Sequence, residues 1–170
     1  MTAIIVYAHP CEASYTAALR DAVIRGLAAA GSTIDVIDLW ADGFDPLRPG
    51  PGLSAGRHVD RLGGASTLAL VYPTWWSGQP AILTGWLAAL PSDALRHVTR
   101  LVAVTSHGSS KWVNVLEGET GRRIVKHTLR RRCAPGARAE WHAFYGIDRA
   151  DEADRRAFVN DVERALSRPR

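Results

Sequence analysis

The sequence has little sulfur chemistry to offer: Cys11 and Cys133 are its two cysteines, too few for a disulfide framework in a chain of 170 residues. Its fold must rest on packing. The histidines and cysteines show no paired spacing of the zinc kind, so no metal is expected. Gly-x-Gly-x-x-Gly and Gly-Lys-Ser/Thr are both missing, which removes the fingerprints of dinucleotide-binding Rossmann domains and of nucleotide triphosphatases. Neither Ser106 nor Ser109 sits in a Gly-x-Ser-x-Gly elbow, and no acid is placed to orient a Ser-His pair, which argues against a hydrolase built on either serine beside His107. No apolar stretch approaches the ~18 residues of a spanning helix. Met1-Thr2-Ala3-Ile4 runs into a strand pattern without a basic leader, so the expectation is a cytoplasmic protein with no membrane insertion. No internal repeat is evident.

What is present fits one globular domain spanning residues 1–170, long enough to fill a core. An apolar fraction of 46% and a charged fraction of 22% lie near soluble averages and exclude disordered and fibrous classes. The formal charge of +4 is modest, but six lysines and arginines crowd into the stretch from Arg122 to Arg132. A solvated helix face and steering of an anionic nucleotide both account for that run; nucleic-acid binding is disfavoured, because the run has no interleaved aromatics.

Short buried strands alternate with helical patterns. Ala3–Ala8, Thr67–Tyr72 and Leu101–Thr105 are nearly continuous apolar runs, as strands covered on both faces require. Thr33–Leu39 and Glu140–Tyr145 complete five strands. Ser14 is a good N-cap for a helix ending at Gly31, Pro80–Leu90 carries apolar residues at helical spacing, and further helices are expected over Gly121–Arg132 and Glu152–Leu166. Between Gly43 and Gly56 the prolines and glycines imply a long connection, after which Ser54 would cap a short helix through Leu62. The alternation predicts a doubly wound α/β sheet of the flavodoxin type, a three-layer sandwich with a five-stranded parallel sheet in the order 2-1-3-4-5.

Ligands of such sheets bind at the carboxyl ends of the strands, near the switch point. Three loops are thereby named. His9–Ser14 ends at a helix start, whose free amides and positive dipole end suit a phosphate, with Ser14, Thr16 and His9 as further donors. Pro73–Gly78 sets Trp75 and Trp76 just beyond a buried strand, where exposed indoles are costly unless a flat conjugated ring or a protein surface covers them. Ser106–Asn114 offers hydroxyls and Gly108, which permits close approach of a ligand to the backbone.

The residues of these loops resemble the NAD(P)H:quinone oxidoreductase branch of flavodoxin-like proteins, the group of DT-diaphorase, modulator of drug activity B and the ancillary quinone reductases of bacterial potassium-efflux systems. The resemblance rests on His9-Pro10 with Ser14-Tyr15, Asp38-Leu39-Trp40 leading to Phe44-Asp45-Pro46, Val104-Thr105-Ser106, and above all Tyr72-Pro73-Thr74-Trp75-Trp76-Ser77-Gly78-Gln79-Pro80-Ala81-Ile82-Leu83 followed by Gly85-Trp86. It implies a flavin, FMN or else FAD. His9, Ser14, Tyr15 and Thr16 would contact its phosphate and ribityl chain, Pro73, Thr74, Trp76 and Ser77 its ring, and Thr105, Ser106, His107 and Gly108 its pyrimidine end. Trp75 falls where the family varies, as a flavin contact or as packing at a dimer.

The resemblance also implies a homodimer, NAD(P)H as co-substrate and ping-pong hydride transfer to a quinone or similar planar acceptor. The sequence departs from the family at three points: His107 replaces a glycine, and Asn114 and Thr120 stand where DT-diaphorase has a tyrosine and a histidine that stabilise developing charge. His107 and Asn114 are therefore the candidate catalytic residues on the acceptor side. A flavin-binding regulatory subunit docked on a membrane transporter is the alternative; a one-electron carrier flavodoxin is disfavoured by the basic charge.

Overall fold

The computed structural model describes residues 1–47 and 56–168, and Ser54 lies outside them. Five parallel strands form one sheet in the order β2-β1-β3-β4-β5, with β1 at Thr2–Tyr7, β2 at Thr33–Asp38, β3 at Ala65–Pro73, β4 at Arg100–His107 and β5 at Arg138–Tyr145. The expected order is thus observed, and the chain returns from edge strand β2 to the centre, giving the switch point between β1 and β3.

Strand alternation divides the core in two. Leu68, Leu70, Tyr72, Leu101 and Ala103 face one side, under α3 (Ala81–Ala89) and the buried Val125 and Leu129. Ala69, Val71, Val102 and Val104 face the other, under α1 (Tyr15–Ala29) and α6 (Glu152–Leu166). Both faces of the central strands are dry, which is why their sequences read as unbroken apolar runs. Helix α1 closes in a Schellman turn: Gly31 sits at φ +84, its amide bonds to the Ala28 carbonyl at 2.9 Å and the Ser32 amide to the Leu27 carbonyl at 3.0 Å. At Gly26 a Cβ would meet the Glu163 carbonyl oxygen at 2.7 Å and Leu166 Cβ at 2.9 Å, so glycine is what lets α1 and α6 approach so closely.

Elements differ from expectation where tertiary pairing outruns local signal. β4 continues past Thr105 through Ser106 and His107 because these pair with Phe144 and Tyr145 of β5. His107 is accordingly a strand residue, not a loop residue. Pro80 caps α3 from outside rather than opening it. A short helix α4 (Lys111–Leu116), whose Lys-Trp-Val-Asn pattern gives no helical period, fills the expected loop and carries Asn114. The short helix before β3 is α2, Gly56–Leu62. The basic segment is helical but irregular: α5 (Thr120–Arg123) passes into a π-helical turn at Ile124–Leu129 and a 3-10 turn at Arg130–Arg132. Among the described residues no helix is long and apolar enough to cross a membrane.

Candidate active site

The three carboxyl-end loops meet over β1, β3 and β4. After β1, Ser14 caps α1 by accepting the Ala17 amide at 3.1 Å, while the amides of Tyr15 and Thr16, in the first turn, have no intrahelical acceptor. Tyr7 donates to the Cys11 carbonyl at 3.1 Å and lies 3.3 Å from Ser14 Oγ. His9 Nδ1 lies 3.0 Å from both the amide nitrogen and the carbonyl oxygen of Cys11, contacts that engage Nδ1 alone and hold the ring at the mouth of the loop. Two predicted residues turn inward. Thr16 is buried, and Tyr15 packs its ring on Phe144 at 5.7 Å and donates to the Arg155 carbonyl at 3.2 Å, where burial pushes the phenol up to about 12. What these two can offer a ligand is backbone amide.

After β3, the chain makes a two-residue hairpin turn. Trp75 and Gly78 exchange backbone bonds of 3.1 and 3.0 Å around Trp76 at φ +50 and Ser77 at φ +60. Positive φ at both central positions is the geometry that favours Asn-Gly; a tryptophan and a serine adopt it only under external constraint, and such strain gathers at functional sites. The constraints are visible. Ser77 Oγ donates to the Glu117 carboxylate, and the Thr74 amide donates to the Ser106 carbonyl at 2.8 Å. Thr74 Oγ1 lies 2.9 Å from Thr105 Oγ1 and 3.3 Å from His107 Nε2. Held in this way, the turn presents Trp76 with its whole side chain in solvent (102% exposed) and Trp75 half-exposed, 6.1 Å from the His9 ring.

Behind Thr74 lies a polar layer on the α3 side of the sheet. His107 is 6% exposed and stacks on Tyr145 at 4.6 Å with rings 20° apart, and Trp141 tilts against it at 6.2 Å. Burial pulls its imidazole below the ordinary value, against the opposing pull of Asn114 and of the Glu119 and Glu117 carboxylates. Tyr145 in turn donates to Glu119 at 2.8 Å, and burial raises its phenol. Asn114, 3% exposed, spends its amide hydrogens on Ser109 Oγ (2.9 Å) and the Ser110 carbonyl (2.8 Å), pinning the turn beside Gly108. Gly108 itself is pressed by Asp148, whose Oδ2 would stand 2.6 Å from a Cβ.

The structure therefore brings His9, Thr74, Trp75, Thr105, Ser106 and His107 to one end of the sheet, together with the amides of α1, and sets His107 and Asn114 behind that surface. Sequence reasoning missed Glu117, Glu119, Trp141 and Tyr145. Their only signal was Tyr145 at the end of a strand; the two glutamates act across folded distance and no spacing announces them. Tyr72 Oη, Gln79 Nε2 and His107 Nδ1 are buried without a hydrogen-bond partner among the described residues, all at or beneath the hairpin. An amide cradle for an anion beside an uncovered aromatic hairpin suits a planar ring that carries a phosphate, and this donor set fits a flavin nucleotide.

Comparisons with known proteins agree on the architecture. Residues 1–90 match a family model described as a flavodoxin-like fold. An uncharacterized NAD(P)H oxidoreductase, YcaK, of Escherichia coli strain K12 is 25% identical over 105 residues, covering 55% of this chain and 54% of its own length; the chain thus matches about half of that curated relative. Among solved structures, the NAD(P)H:quinone oxidoreductase from Methanothermobacter marburgensis superposes with a TM-score of 0.81 at 24% identity, over 98% of this chain and 94% of that one. An FMN-dependent NADH-azoreductase from Bacillus anthracis, in complex with FMN, gives 0.72 at 15% identity over 98% and 97%.

Proposed function

Because the chain belongs to the family defined by a flavodoxin-like fold, we propose that it is a flavin-dependent NAD(P)H oxidoreductase reducing quinones or similar planar electrophiles, with residues 1–170 acting as one domain. The observation that carries this reading is the hairpin at Trp75–Gly78, held in left-handed geometry at Trp76 and Ser77 within reach of a free helix N-terminus. Bound there, a flavin would supply hydride exchange with the nicotinamide and then with the acceptor, in ping-pong order.

The protein's own groups divide the labour. The Tyr15 and Thr16 amides, Ser14 and His9 would bind the phosphate, and a single such cradle favours FMN over FAD, in keeping with the FMN held by the Bacillus anthracis azoreductase. Pro73, Thr74, Trp76 and Ser77 would line the ring, with Trp75 at its edge, and Thr105, Ser106 and Gly108 would meet its pyrimidine end. His107 and Asn114 enter as the groups that hold those loops from behind. The acceptor would be bounded by a second copy of the chain, because α4 beside the hairpin exposes Trp112 (79%) and Leu116 (86%) with Val113 and Val115, an apolar surface of the kind that oligomers cover.

The test is the visible spectrum. Purified protein, or protein reconstituted with FMN, should show flavin absorption that NAD(P)H bleaches and a quinone restores. A colourless protein that binds neither FMN nor FAD would overturn the proposal.

A further inference from the structure

At the amino end of the sheet, away from the hairpin, a hollow of about 390 Å³ opens between the basic helical segment and the turn that leads into β5. Lys126, His127, Arg130 and Arg131 form one wall, and no Asp or Glu lines it. Backbone bonds fix its place: the Ala134 amide donates to the Val98 carbonyl and the Arg138 amide to the Thr99 carbonyl, each at 2.9 Å, just before β4 begins. The eight residues of β4 then separate the hollow from the hairpin by roughly 23 Å, at about 3.3 Å per residue. A ligand that fills this hollow stays clear of the α1 cradle.

The hollow is held in shape from both sides. Opposite the cations, Ala134–Ala137 closes as a turn, with the Ala137 amide on the Ala134 carbonyl at 2.9 Å, Pro135 at its second position and Gly136 at φ +78 at its third. Arg130 Nε donates to the Ala137 carbonyl at 2.8 Å, which ties its guanidinium to that turn. Arg132 spends its own on the carbonyls of Leu87, Leu90 and Pro91 and so moors the helical segment to the end of α3. Lys126, His127 and Arg131 have no hydrogen-bond or ion-pair partner among the described residues. A concavity lined by unopposed cations focuses positive potential, and the mutual repulsion of its walls is relieved when an anion enters.

Its chemistry is that of binding, not of reaction. Cys133, the sulfur in the wall, donates to the Leu129 carbonyl at 3.3 Å, and burial pushes its thiol up to about 11, so no thiolate is present to attack a ligand. The clustered donors exceed what one carboxylate can engage, whereas a phosphate monoester brings two charges and three terminal oxygens that suit guanidinium forks. The size is that of a small-ligand site, and no Trp, Tyr or Phe side chain lines it for base stacking, which disfavours a nucleic acid. We propose that this hollow is a second anion site, separate from the α1 cradle, and that it binds a phosphate monoester. A soluble phosphate ester and the headgroup of phosphatidic acid in a bilayer both present that group.

The test is calorimetric titration of the full chain with glycerol 3-phosphate, inorganic phosphate and glycerol, FMN being present to occupy the α1 cradle. Both phosphates should bind and glycerol should not. In Lys126→Gln/Arg131→Gln the affinity for glycerol 3-phosphate should fall about tenfold with the ligand-free melting temperature unchanged, whereas Arg156→Gln/Arg164→Gln, which removes the same charge from exposed positions on α6, should leave it intact. No binding of either phosphate, an affinity unmoved in the first variant, or an equal loss in the second would each overturn the inference. Sedimentation with phosphatidylcholine vesicles carrying phosphatidic acid names the source: capture that the first variant abolishes assigns the lipid headgroup, and absence of capture alongside glycerol 3-phosphate binding assigns a soluble ester, either result supporting the site. A protein that binds no FMN ends the oxidoreductase reading instead, and the difference between the two variants still decides the hollow.

Discussion

Trp86→Ala is expected to cost about 3–5 kcal/mol of stability, the usual range for emptying a large aromatic site in a core. Against a typical total of about 5–15 kcal/mol this leaves a marginal protein, which urea unfolding would register as a large drop in midpoint. Trp86 is wholly buried between the sheet and α2, and its indole donates to His58 Nδ1 at 3.1 Å. That bond fixes the tautomer, so His58 Nε2 carries the hydrogen and donates to Asp42 at 3.0 Å. Removing the indole opens a cavity and also strands a buried ring nitrogen. Trp86→Phe keeps most of the volume but not the donor, and should lose only about 1–3 kcal/mol, the cost of that unsatisfied nitrogen.

The same cluster sets a pH dependence. Burial holds the His58 imidazole below its ordinary value of 6.5, outweighing the opposing pull of Asp42. Between that lowered native value and 6.5 the unfolded chain binds the proton and the folded chain does not, so stability rises with pH through the window. Full stability is therefore expected above about pH 6.5 and a decline as pH falls beneath it. Urea midpoints across pH 5–8 should show this slope, and His58→Gln should flatten it.

His107→Ala is expected to lower flavin affinity about 10- to 100-fold, or roughly 1.4–2.8 kcal/mol, and to alter both half-reactions. The side chain does not reach the open surface; it touches Thr74, and Thr74 anchors a turn whose two central residues are held at positive φ. Loss of the imidazole leaves Thr74 Oγ1 with Thr105 as its remaining side-chain partner, so the turn can relax toward ordinary φ and its hydrogen-bonding groups leave the line of the ring. A direct proton donor would behave otherwise, with affinity kept and only reoxidation by the quinone slowed. Separate measurement of flavin affinity, reduction and reoxidation distinguishes the two, and His107→Gln, which can restore a hydrogen bond to Thr74, should recover affinity.

Much of this molecule is legible in its amino-acid order. The three apolar runs, the Ser14 cap, the Gly31 stop and the terminal helix Glu152–Leu166 are local signals, each set by burial or capping within a few residues of sequence, and each is observed. The loops at the carboxyl ends follow from the alternation alone. Less is legible in the depth of the site. His107 reads as a loop residue because the apolar run stops at Thr105, whereas pairing with Tyr145 carries the strand two residues further.

The sequence by itself determined the layer architecture and the Trp75-Trp76 turn at the end of β3, because alternation, caps and apolar runs are short-range consequences of burial. Tertiary structure alone decided how that turn is held: Glu117, Thr105 and His107 reach Ser77 and Thr74 from 31 to 40 residues away in the chain. A strained backbone is stable only when distant groups over-determine it, and the identity of those groups is a property of the packed sheet, not of any local pattern.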